Sequence, residues 1–94
     1  MNDSSVKFSD DLRWNSGKMA VQLSAVFSGK EILCLVSEEA LADLSRGHIG
    51  SGDQALSAFR QHAEKIHGVA EALIRAGRFE QDGSVIVRTG DVGG

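Results

Sequence analysis

The sequence predicts an α+β fold: an antiparallel, β-hairpin-based sheet with one long helix packed on it. Three observations predict it. Residues 19–27, MAVQLSAVF, alternate in polarity, with Met19, Val21, Leu23, Ala25 and Phe27 on one face and Gln22 and Ser24 on the other; a period of two marks a half-buried strand. A second apolar run, EILCLV at 31–36, follows directly after the turn SGK, which makes the pair a hairpin. Farther on, Leu56, Phe59, Ala63, Ile66, Ala70 and Leu73 recur at steps of three and four, the stripe of a helix facing a core.

In chain order, VKF at 6–8 is an optional short opening strand and DDLRWNSGK at 10–18 reads as turn. In the hairpin turn Gly29 is free to adopt a positive φ. The second strand is apolar on both faces, as a central strand is. Ser37 then caps a short helix, EEALADLSR, whose two leading glutamates suit the positive helix N-terminus, and Gly47 is expected to end it. GHIGSGD is a flexible connection, and Ser51 with Gln54 has the spacing of a capping box. The long helix is predicted from about 53 to 76, stopping at Gly77. After the QDG turn, SVIVR at 84–88 is the last strand, and 89–94 a flexible tail. The order is therefore β-β-α-α-β, preceded by the optional strand.

The 94 residues make one domain, 1–94, and 41% hydrophobic with 24% charged residues suits a folded one. No apolar run approaches the roughly 20 residues that cross a bilayer, and the polar, acidic start, MNDSSVKFSDD, reads as neither a signal nor a transit peptide; the expected compartment is the cytoplasm. The net charge is −3, and no two of the ten lysines and arginines are adjacent. With one Trp, four Phe and no Tyr, a basic or base-stacking surface is poorly supplied, so no nucleic-acid partner is expected. A single cysteine, Cys34, excludes an intramolecular disulfide and a multi-cysteine zinc site. It lies in an apolar run and reads as a buried, inert thiol.

Phe8, the hairpin residues Val26, Phe27, Ile32 and Cys34, SEEAL at 37–41, ALSAF with HAEKI within 55–66, and DGSVIV at 82–87 before Asp91 occur in this order along nearly the whole chain. In this the chain resembles the small bacterial proteins of domain-of-unknown-function family 1488. Each motif is weak alone; order and spacing carry the likeness, and the glycine-rich link at 46–52 is not part of it. The resemblance implies a compact bacterial α+β domain and supplies no catalytic, cofactor or metal residues.

The residues themselves offer few sites. His62 and His67 lie about 140° apart on a helix and cannot share a ligand. His62 falls inside the apolar arc and is expected to be half-buried with one hydrogen-bond partner. His67 is expected on the surface beside Glu64 and Glu71. Glu64 and His67 form a Glu-x-x-His, but di-iron bundles need a second such helix and further glutamates. The serines lack a nucleophile elbow. GHIGSGD has neither the lysine of a P-loop nor the spacing of a dinucleotide fingerprint. The ending DVGG matches that of ubiquitin-like sulfur carriers, although a β-grasp places strands where this chain predicts its long helix. No catalytic residue, metal or cofactor is therefore assigned.

Two functional readings remain. The first is a non-enzymatic protein-binding or regulatory module. Its strands offer apolar side chains to both faces, and one helical stripe covers one face. Leu33, Leu35 and Val26 would form the uncovered patch, and a homodimer through it is expected, with a further protein partner unknown. The alternative is a small-ligand-binding protein or enzyme whose site combines His62, Cys34 and Ser51 with the loop 47–52.

Overall fold

A computed structural model describes residues 6–92. The hairpin forms as its pattern dictates. Strand β3 (Ala20–Phe27) pairs antiparallel with β4 (Lys30–Ser37), from Ala20 opposite Ser37 to Phe27 opposite Lys30. Ser28 and Gly29 both take positive φ, 53° and 79°, the two-residue turn whose twist matches the strands it joins. Two short strands, β1 (Lys7–Phe8) and β2 (Arg13–Asn15), line up along the free edge of β3. The second lies in a segment whose composition reads as turn; Trp14, opposite Val21, carries its apolar contact. β5 (Val85–Val87) joins the other side of β4 in parallel, so the sheet is mixed, with the order β1-β3-β4-β5.

Register fixes the faces. Leu23, Cys34 and Val85 lie in one row and Val21, Val36 and Val87 in the next, all buried. The helices cover this inner face. α1 (Glu38–Ser45) starts at Ser37, whose side chain accepts the Ala40 N–H at 3.1 Å. It ends with Arg46, not Gly47, in the left-handed conformation (φ 54°), and the Gly47 N–H closes the turn on the Ala42 carbonyl.

The predicted long helix is two: α2 (Gly52–Gln61) and α3 (Ala63–Arg75), broken at His62 (φ −118°, ψ 21°). The His62 N–H is shared between the carbonyls of Ala58 and Phe59. The break lets α2 pack on β2 and β3 while α3 packs on β5, which a straight rod on a twisted sheet would not reach together. The buried face keeps Phe59, Ile66 and Ala70 of the expected stripe and departs from it at the two ends. Ala55, Ala58, Phe59, Ile66, Ala70 and Ile74 are buried, whereas Leu56 and Leu73 are half-buried at its rim. Gly77 ends α3 with φ 73°, and the Arg78 N–H reaches the Leu73 carbonyl, the six-to-one bond of a Schellman end.

Part of the expected tail is ordered: Thr89–Val92 form the turn α4, with Val92 buried against the core and α4 against α1 and α3. The diglycine, Gly93 and Gly94, lies outside the described residues. No helix among the described residues is long and apolar enough to cross a membrane.

Candidate functional site

The sheet and helices create two features with the makings of a site. One is on the outer face. There the side chains of β3 and β4 alternate away from the helices, so Val26, Leu33 and Leu35 share that face. Val26 is 43% exposed and Leu33 36%. Leu35 is 1% exposed and so does not belong to a surface patch. It lies on a central strand between Gln22 on one side and Ile86 on the other, whereas β5 pairs only with residues 34–36, so Leu33 has Ser24 of β3 on one side and no strand on the other. The loop before β5 adds a residue that the strand pattern could not supply. Phe79, 44% exposed, lines a cavity of about 520 Å³ together with Ser24, Glu31 and Leu33. Its loop is pinned by Arg88, whose guanidinium donates to both carboxylate oxygens of Glu80 at 3.1 and 3.3 Å. Asp82 also holds it, taking both the N–H and the hydroxyl of Ser84.

The second feature lies at the β1–β2 edge. Residues 9–12 bulge between the two short strands, tethered to β3 by the Ser9 N–H, which donates to the Ser24 carbonyl at 2.9 Å. Asp11 fills the gap in the ladder: its Oδ1 accepts from the Ser9 hydroxyl and the Ser24 N–H, and its Oδ2 from the Ser24 hydroxyl at 2.9 Å. These bonds, Ser9 first, hold its carboxyl at about 2, below the usual carboxylate range. A cleft of about 410 Å³ separates this bulge from the helices. Ser9, Asp10 and Leu12 form one wall; Arg60, Ala63 and His67 form the other; Leu23 and Phe59 are buried beneath.

His67 is not a surface residue among carboxylates. Its ring stacks on Phe8 with centroids 4.2 Å apart and planes within 5°, and meets Phe59 edge-on at 5.8 Å. Loss of water lowers its pKa, favouring the neutral ring. Nothing local in the sequence signals this contact, because Phe8 is 59 positions away on a different element. His62 is half-buried at the helix break, and its ring has no hydrogen-bond partner among the described residues.

The combination of His62, Cys34 and Ser51 is not assembled as a site. Cys34 lies in the core with its thiol pushed up to about 11 by burial, so it presents neither a nucleophile nor a ligand. The Ser51 hydroxyl accepts the Gln54 N–H at 3.2 Å as the cap of α2, and Gln54 takes the Gly50 N–H in return. The loop 47–52 is thereby tied to its helix, and Gly52 sits against Trp14. None of the three residues lines the cleft or the outer cavity. Among the described residues no three of His, Cys, Asp and Glu are grouped to hold a metal ion.

The family model described as "Protein of unknown function (DUF1488)" matches residues 6–87. The chain belongs to the DUF1488 family. The match spans every strand and the three main helices. A crystal structure of a DUF1488 protein of unknown function from Shewanella loihica PV-4 superposes with a TM-score of 0.85 at 30% identity, over 93% of this chain and 96% of that one. The uncharacterized protein YrdB of Escherichia coli K12 is 31% identical over 80 residues, 85% of this chain and 92% of the relative, and YrdB of Shigella flexneri is 30% identical over the same shares. DUF1488 membership thus agrees with the α+β sheet and its covering helices, and the function of the DUF1488 relatives is recorded as unknown.

Proposed function

We propose that this chain is a non-enzymatic protein-binding module that pairs with a second copy of itself through the outer face of its sheet. The observation that carries the reading is the pairing of Leu33 and Phe79, two exposed apolar side chains that line one shallow cavity, with the exposed Val26 on the same face of the sheet. Contiguous apolar surface of this kind is the usual core of an interface. Both charge signs occur close by, with Lys30 and Glu31 at the hairpin end and Asp82 in the facing loop. Mixed signs beside an apolar patch suit a two-fold, self-complementary pairing. The unpaired thiol of Cys34 suits a reducing compartment, which supports a cytoplasmic reading.

Light scattering behind size exclusion at micromolar concentration tests the pairing. The expected result is a dimer that Leu33→Glu converts to a folded monomer. A mass of 10.0 kDa that persists over a wide concentration range overturns the reading, as does a dimer indifferent to substitution at Leu33 and Phe79.

A further inference from the structure

The two departures from regular structure in this fold meet at one place. On one side the bulge at 9–12 interrupts pairing with β3; on the other the helix break at His62 interrupts α2 and α3. The cleft lies between them. Bulges re-aim side chains beside binding sites, and here the bulge brings Asp10 to the wall, while Asp11 is consumed in holding the bulge in place.

The polar groups of the cleft have opposite signs. Asp10 and Arg60 both line it, and neither has a hydrogen bond or ion pair among the described residues. Beneath them Leu23 and Phe59 give an apolar floor, with Leu12 at the side. His67 completes the wall with a ring held by stacking alone, so its nitrogens are not used by the fold. The volume, about 410 Å³, falls in the range of roughly 300–1,000 Å³ typical of small-molecule sites.

We infer that the cleft between the 9–12 bulge and the α2–α3 break binds a small amphoteric molecule with an apolar side group, the class of the free apolar α-amino acids. A carboxylate meets Arg60, an ammonium meets Asp10, and the side group covers Leu12, Leu23 and Phe59. A simple anion would leave Asp10 facing like charge, and a simple amine would leave Arg60 so. A ligand carrying both charges offers each wall its opposite.

Titration of the isotope-labelled full chain with L-phenylalanine, followed by amide and imidazole NMR, tests this. Because the cleft is open, saturation is expected at concentrations on the order of millimolar. The resonances that move should be those of Ser9, Asp10, Arg60, Ala63 and His67. Phenylacetate and phenethylamine, each lacking one charge, should bind at least about tenfold more weakly. Asp10→Asn and Arg60→Gln, both at exposed positions, should each weaken L-phenylalanine by a similar factor with the thermal midpoint unchanged. The inference is overturned if L-phenylalanine produces no saturable shifts, if the shifts centre elsewhere, if phenylacetate or phenethylamine binds as well, or if neither substitution changes the affinity.

Discussion

Asp11 replaces, with one carboxylate, the backbone pairing that the bulge removes. Both of its oxygens accept bonds from Ser9 and Ser24, so Asp11→Asn keeps the shape but loses acceptors, and a lower denaturation midpoint is expected. The same bonds set a pH dependence. The folded carboxyl titrates at about 2, below the roughly 3.9 of an unfolded chain. Its contribution is therefore complete above about pH 4 and is lost as pH falls through about 2; the Asn variant should lack this part of the acid transition in a denaturation series. His67 behaves in the same direction for a different reason. Burial lowers its pKa below 6.5, so the unfolded chain takes up the proton first. The stability tied to its neutral ring is present above about pH 6.5 and is lost on acidification through the lower folded value. His67→Phe keeps the stack on Phe8 and removes the titration, whereas His67→Ala should cost about 0.5–1.5 kcal/mol, the worth of an aromatic pair beyond area burial. Urea titrations at pH 5 and pH 8 separate the two, and a His67→Ala variant as stable as the parent would contradict the stacked geometry.

The helices illustrate how one residue type serves opposite ends. Gly68 lies inside α3 with open space where a Cβ would go, so Gly68→Ala should stabilise by about 0.5–1 kcal/mol through backbone entropy and helix propensity. Gly52 opens α2, and a Cβ there would stand 2.7 Å from the Trp14 ring. Despite the better propensity of alanine, Gly52→Ala should cost about 1–3 kcal/mol, as overpacking does, because the tryptophan must shift from β2. Thermal melts of the two variants should move in opposite directions. The helix break at His62 belongs here too. The apolar stripe runs through it with no proline or glycine between Leu56 and His67, so periodicity alone reads 53–76 as continuous. The bend arises from the demand that α2 and α3 serve different strands of one twisted sheet.

Across the whole molecule, burial is decided by what stands beside a strand, and this separates two leucines of the same face. Leu35 is flanked by Gln22 and Ile86, Leu33 by no third strand. Leu35→Glu should abolish cooperative unfolding, since an unpaired charge cannot remain in a buried position. Leu33→Glu should leave a folded chain and change only association. Circular dichroism melts of the two variants decide this, and a cooperatively folded Leu35→Glu protein would place that side chain at the surface.

The hairpin, the positive φ of Gly29 in its turn, the Ser37 and Ser51 caps and the Gly77 stop were legible in the sequence, because each depends on neighbours within a few positions: alternation, a hydroxyl beside free N–H groups, or a glycine at positive φ. So was the family, through the order of short motifs along the chain. Three features needed the tertiary structure. β2 forms because the edge of β3 is there to receive Trp14, although its own composition is that of a turn. Leu35 is hidden because β5 arrives in parallel from the far end of the chain, and such a pairing has no local signature. The cleft exists because a bulge near the N-terminus and a helix break near the middle are brought together by the sheet; Asp10, Arg60 and His67 share no spacing that marks them as partners. Local chemistry fixes the hairpin, the caps and the helical stripe, while edge strands, the helix break, faces and clefts follow from contacts between residues far apart in sequence.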